Sequence, residues 1–357
     1  MRRTVSILFS LFLAGGTYVS WHDLGIPHSS ATVDVRVFNV ANMTLMGQAH
    51  AFYAPILPGR ENSLSPLYAF LVEHKKIWET VAGFFTSGIA KVEQVKDITE
   101  LLQDGGIPPS FGGETHFLSY LRALTPDLLY SHTHFDHIGD LSKFPNTTGL
   151  VIGSETDAST YPEFANASLQ ASDLAGRDVK KIDFSAANHT FSGLKAVDYF
   201  GDGSFYLLNT PGVTLGGDTF HHVDETRPRP QFQHNFPCPA HLLGEAGTSI
   251  STDYFWSPHS RDGAFALPSR AAQLFADSDL PDAFNADPVA FQVSLDKLTR
   301  FDADPDVFVL IAHDLSVRDA LPHFPAYLTG WKASARKART VWKFVEKTNP
   351  ASFFTPV

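Results

Sequence analysis

The chain has 357 residues, 43% hydrophobic and 18% charged, a composition that excludes global disorder and can bury one large core or two ordinary ones. A formal net charge of −11 argues against a nucleic-acid partner, because phosphate binding needs a basic surface. The single cysteine, Cys238, excludes an intrachain disulfide and reads as a small apolar residue in "FPCP".

At the N-terminus Arg2 and Arg3 precede an apolar run from Val5 to Leu13, followed by Ala14-Gly15-Gly16. The run is too short to span a bilayer and fits a secretory signal peptide over residues 1–22, with 23–357 as one domain. Four N-x-S/T sequons, at Asn42, Asn146, Asn166 and Asn188, are compatible with secretion. The alternative is an N-terminal extension on a cytoplasmic protein. No other segment is long and apolar enough to be a membrane span.

"ATVDVRVFNV" (Ala31–Val40) alternates as a strand does, and "PLYAFLVEH" (Pro66–His74) reads as a second strand. "KDITELLQDGG" predicts a short helix with Asp97 as N-cap, Glu100 three residues on and Gly105 at its end. "DLLY" (Asp127–Tyr130) is a brief buried strand, and "GLVIG" (Gly149–Gly153) is another. "KAVDYF" and "SFYLLN" flank the turn "GDGS" (Gly201–Ser204) and predict a hairpin. Residues 223–269, rich in Pro, Ser, Gly and His, read as a long irregular excursion on the substrate side. Asp287 as cap with Pro288 behind it starts a helix through "DPVAFQVSLDKLTRF". "DVFVLIAHD" reads as a buried strand ending in His313-Asp314, with Asp314 as a carboxylate that supports a neighbouring ligand or caps the chain, not a ligand itself. "WKASARKARTVWKFVEK" reads as a basic C-terminal helix with a solvated face. Strands dominate, with helices interspersed, which suggests packed sheets with helices outside.

The densest chemistry lies in "SHTHFDHIGD" (Ser131–Asp140), directly after the Asp127 strand. The motif H-x-H-x-D-H comprises His132, His134, Asp136 and His137. Imidazole nitrogen suits zinc and similar cations. The i, i+2 spacing puts His132 and His134 on one side of an extended segment, within reach of one ion. Asp136 and His137 follow in the loop, where they can serve a second ion. A polar loop whose histidines bond to backbone or solvent does not account for four ligand types at these spacings.

This stretch resembles the signature loop of the metallo-β-lactamase superfamily. "SFYLLNTPG" (Ser204–Gly212), "GGD" (Gly216–Asp218) and "VFVLIAHD" resemble three further segments of that family, in a lactonase-like fungal branch. The resemblance covers most of Ala31 to about Trp342. It implies an αββα sandwich of two mixed β-sheets flanked by helices, with two divalent metal ions, zinc foremost, at the edge where the sheets meet. Carried over by position, His132 and His134 hold one ion, Asp136, His137 and His313 hold the other, and Asp218 bridges them. Asp136 also orients the attacking water. His221, three residues after Asp218, stands where the lactonases place a tyrosine that polarises the substrate carbonyl; a ligand or plain surface role is the alternative. The implied activity is hydrolysis of a small lactone or related cyclic ester or amide. The alternatives are thioester hydrolysis on the same fold and a catalytically impaired relative that binds metal or ligand without turnover.

The departures from the pattern are specific. The family's histidine directly after T-P-G is replaced here: Thr210-Pro211-Gly212 is followed by Val213, and Gly216-Gly217-Asp218 comes almost at once. One ligand and the strand after it are missing. The match also breaks after Ile77 and around Phe111, which points to a misread gene structure. A transcript that matches this chain across the codons for Gly212 and Val213 would exclude that explanation.

Overall fold

The computed structural model describes residues 7–9, 24–47, 49–54, 56, 59–74, 78–81, 91–94, 127–139, 141, 144, 146–211, 219–227, 235–237, 276–277, 287–346 and 348–351. In chain order the strands that build the two main sheets are β1 (Ile7–Phe9), β2 (Val33–Leu45), β3 (Ser63–His74), β4 (Trp78–Val81), β5 (Lys91–Gln94), β6 (Asp127–Leu129), β7 (Gly149–Gly153), β8 (Val179–Ile182), β9 (His189–Phe191), β10 (Leu194–Asp198) and β11 (Tyr206–Asn209). The helices used below are α1 (Phe135–Ile138), α2 (Ala171–Leu174), α3 (Pro288–Ala303) and α4 (Arg336–Thr340).

The larger sheet has seven strands in the order β8-β7-β6-β4-β3-β2-β5, and it is mixed. β2 and β3 form its antiparallel centre, with Val33 opposite His74 and Val37 opposite Phe70, and a bulge between Asn39 and Ala41. β4, β6, β7 and β8 run parallel to one another, with Leu128 opposite both Thr80 and Leu150. β7 is buried at all five positions, as a parallel strand covered on both faces must be. The smaller sheet is antiparallel in the order β1-β11-β10-β9. Its β10–β11 pair is the expected hairpin, with Ala196 opposite Leu208. Ile7–Phe9, from the apolar N-terminal run, pairs with β11 on its other side, with Leu8 opposite Leu208.

Period-two alternation decides the layers. Val33, Val35 and Val37 of β2 and Phe70 and Val72 of β3 turn toward the smaller sheet, where Leu207 meets them in one apolar cluster. Their strand neighbours Phe38, Val40, Leu67 and Leu71 turn to the outer face and pack with Ile138, Leu141 and Phe144 from the segment after β6. On the far side of the smaller sheet, Leu194, Ala196 and Leu208 pack against Phe291, Leu295 and Leu298 of α3. The result is an αββα sandwich. The α3 N-terminus follows the sequence logic: the Asp287 carboxylate accepts from the Ala290 amide at 3.0 Å, with Pro288 in the first turn.

Two expected elements differ. Residues 306–314 are mostly buried but form no regular strand. β3 is paired with β2 along its whole length and with β4 over Phe70–Glu73, so the segment meets it through the Tyr68 amide to the Ala312 carbonyl, 3.1 Å. The C-terminal helix is short. α4 covers five residues, and Ala335 before it has φ +50°. Lys337 is buried instead of solvated, because its ammonium donates to the carbonyls of Asp302, Asp304 and Val307 at the end of α3. The helix expected after Asp97, Cys238 and most of the excursion from residue 228 onward lie outside the described residues.

Candidate metal centre

β6 delivers the histidine motif. The Tyr130 amide donates to the Val151 carbonyl at 3.0 Å, which holds the strand end beside β7. The chain then leaves extended, with His134 at φ −67°, ψ 150°, and turns into α1. The His137 amide donates to the His134 carbonyl at 3.0 Å, and the Tyr130 hydroxyl donates to the Ile138 carbonyl. This turn brings the motif's histidines together within six residues of chain.

His132 Nε2 lies 2.8 Å from His134 Nδ1, and His137 Nε2 lies 3.1 Å from His313 Nε2. The rings of His132 and His137 are 4.2 Å apart, so the two pairs adjoin. His132, His137 and His313 are buried. The partners of the opposite ring nitrogens fix their use. His313 Nδ1 lies 3.1 Å from the Pro66 carbonyl, which can only accept, so neutral His313 carries its acceptor lone pair at Nε2, toward His137. His132 Nδ1 is 3.0 Å from the Ser131 hydroxyl. A hydrogen bond on one ring nitrogen that frees the other for a cation is the usual support of a metal ligand.

The remaining positions sort as follows. Asp136 lies in α1, but its side chain, like the whole of Asp218, is outside the described residues. Among the described residues no group of three or more His, Cys, Asp or Glu side chains converges on one cation position; they contribute the two histidine pairs. Gly212 and Val213 are also outside, although Pro211 before them is tied to α3 by the Ser294 hydroxyl at 2.6 Å.

His221 lies beside His313. Their rings are nearly parallel, 14° apart in plane and 6.4 Å between centroids, and Phe52 packs edge-on against His221 at 4.7 Å. A small cleft opens here, walled by Ser63, Ser65, Leu315 and Ala351 around the two histidines. The Glu225 carboxylate accepts the amides of His221 and His222 at 2.9 and 2.8 Å. Arg227 anchors the same segment with a bidentate bond to Asp302 of α3. Burial alone would raise the Asp302 carboxyl, but the Arg227 guanidinium wins and holds it below the usual range. His222 and His189 are not substitutes for the missing histidine. His222 Nδ1 accepts from the Asp224 amide, and Nε2 donates to the Ala351 carbonyl. Burial pushes its pKa down to about 4. His189 packs on Tyr206 and Phe191 in the smaller sheet. Asp314 caps the turn Leu315–Val317 through the Ser316 amide at 3.0 Å, as expected.

A family model described as the metallo-beta-lactamase superfamily matches residues 101–226, the span that holds the histidine motif and both strands of the hairpin. "Metallo-hydrolase mfmC" of Annulohypoxylon moriforme is 31% identical over 92% of this chain and 90% of its own length. The chain belongs to the metallo-beta-lactamase superfamily. "Gamma-lactamase FDB1" of Fusarium pseudograminearum, 27% identical, aligns over 91% of this chain and 84% of its own. In three longer Penicillium relatives, named cytochrome P450 monooxygenases, the chain spans 38–39% of the length. A solved quorum-quenching N-acyl homoserine lactone hydrolase aligns at 13% identity with a TM-score of 0.46, over 84% of this chain and 100% of that one.

The superfamily implies a divalent metal, and the donor set of this metallo-beta-lactamase chain fits one. Zinc–nitrogen bonds of about 2.0–2.1 Å at tetrahedral angles place two ligand nitrogens roughly 3.3 Å apart. The His137–His313 separation of 3.1 Å is close to that. Residues the sequence did not single out complete the support: Ser131, the Pro66 carbonyl and Glu225. Pro66 and His313 are 247 positions apart, and no local pattern links them.

Proposed function

We propose that this hydrolase opens a small lactone or lactam, using two zinc ions held by His132, His134, Asp136, His137, Asp218 and His313. The observation that carries the proposal is the adjoining pair of histidine couples, whose ring nitrogens lie 2.8 and 3.1 Å apart. Bound divalent ions supply Lewis-acid polarisation of a carbonyl and a water acidic enough to attack at neutral pH. Asp136 receives the proton of the attacking water and passes it to the ring oxygen or nitrogen as the acyl bond breaks. Water thus adds across that bond, and the product is a hydroxy acid or an amino acid. His221, beside His313 and at the mouth of the cleft, donates a hydrogen bond to the carbonyl oxygen of the substrate. The Pro66 carbonyl keeps His313 in the required tautomer, and the Ser131 hydroxyl orients the His132 ring.

The name of one relative, a gamma-lactamase, favours a cyclic amide over a thioester. Residues 23–357 form the catalytic domain in this proposal, and Ile7–Phe9 of the apolar run before it extends the smaller sheet beside β11. Among the described residues no helix is long and apolar enough to cross a membrane. The test is a hydrolysis screen of γ-lactones, γ-lactams and thioesters with zinc-loaded protein. Ring opening of a lactone or lactam, abolished by a chelator and restored by zinc, is the expected result. Thioester cleavage alone would replace the substrate class. Metal binding without turnover on any of the three would point to an impaired relative.

A further inference from the structure

The histidine loop is fastened from outside by a residue that no part of the motif contains. After α1 the chain turns at Gly139, φ +57°, and Leu141 and Phe144 follow among the described residues before β7. Leu141 and Phe144 bury their side chains with Ile138 in the outer apolar cluster. Their carbonyls therefore sit at the edge of an apolar layer and need donors. Arg177, buried between α2 and β8, provides them. One terminal nitrogen donates to the Leu141 and Phe144 carbonyls at 3.1 and 3.3 Å, and the other to the Thr148 carbonyl at 2.5 Å. Nε donates to the Asp173 carbonyl at 2.9 Å, which fixes the guanidinium against α2. These four bonds, made among the described residues, all go to backbone carbonyls. A planar fork with five N–H groups can gather four carbonyls from separate directions, and an ammonium cannot reproduce that spread.

The consequence reaches the site through Ile138. Its carbonyl is held by the Tyr130 hydroxyl on one side of the loop, and its side chain shares the cluster that Arg177 closes on the other. His137 is the preceding residue, and it must hold its place for Nε2 to meet His313 across 176 positions of sequence. We infer that Arg177 is the positioning residue of the metal centre: by gathering the carbonyls of the loop's exit it sets His137 against His313. This rests on the metallohydrolase proposal above, and it assigns a function to a residue far from the reacting atoms.

The test compares wild type, Arg177→Met and Arg177→Lys. Zinc affinity is read by competition with a chromophoric chelator. The geometry is read from the visible spectrum of the cobalt-loaded protein, and folding from far-UV circular dichroism of each metal-free chain. The Met variant is expected to bind at least one ion about 10–100-fold more weakly, with an altered cobalt spectrum, and the Lys variant to recover part of the loss. Folded variants with wild-type zinc affinity and an unchanged cobalt spectrum would overturn the inference, whatever their melting temperatures. If the Met variant does not fold, the Lys variant decides on the same two readouts. Wild-type protein that binds neither metal would overturn the metallohydrolase proposal and this inference with it, and it does so in the wild-type arm alone.

Discussion

The two sheets approach the site with different completeness. In the seven-stranded sheet β6 has parallel neighbours on both sides, and the loop at its end carries three histidines, one paired with His313 and two with each other. In the four-stranded sheet β11 runs toward Thr210-Pro211, where the superfamily's next histidine is expected, and its outer neighbour is β1 from the start of the chain. Ligands that sit within six residues behind one buried strand come as a unit. A ligand carried by a separate turn is lost when a short stretch of sequence is lost. In the proposed function the first region supplies most of the metal ligands, and the second sets how firmly the metal is held.

Breaking the first region should have the largest effect. His137→Ala removes one member of the buried pair, and we expect loss of bound zinc together with a fall in turnover of about 10²-fold or more, read by metal analysis and kinetics. His221→Ala should leave zinc content unchanged and lower kcat by roughly 10–10²-fold, since it removes a donor to the carbonyl oxygen and no ligand. A kcat equal to wild type in the zinc-loaded variant would reject the assigned role of His221. Repairing the second region should sharpen the contrast. Val213→His restores the residue type expected after Thr-Pro-Gly and should tighten the weaker zinc by about tenfold or more in a chelator titration.

The smallest effect concerns pH. His222 has a folded pKa of about 4 because of burial, against an ordinary value of 6.5. The unfolded chain therefore takes up a proton first, and stability declines as pH falls from 6.5 toward 4, by at most about 3 kcal/mol. Above pH 6.5 this group contributes no pH dependence. Denaturant melts of the wild type and His222→Gln across that window should differ in slope; parallel curves would mean that His222 titrates normally.

Legibility in the sequence followed the range of the interactions. The alternation of β2, the apolar run of β3, the β10–β11 hairpin and the capped start of α3 are local patterns, and they appear as expected. The histidine motif is equally local. The segment before His313 is apolar enough for a strand, but apolarity reports burial and not pairing, and its neighbour β3 already has partners. The C-terminal residues have a basic amphipathic pattern, yet Lys337 is drawn inward by three carbonyls of the α3 terminus. Arg177 and the His222–Ala351 link join residues far apart in sequence, where periodicity carries no signal. The Asp136 side chain and the whole of Asp218, proposed as ligands on the superfamily resemblance, lie outside the described residues.

The most direct measurement is the metal content of the purified chain after zinc is added back and excess is removed. The two histidine pairs predict stoichiometric zinc, approaching about two ions per chain, with His132→Ala and His137→Ala each reducing it. A correctly folded wild-type chain that retains no zinc would contradict the assignment of His132, His134, His137 and His313 as metal ligands.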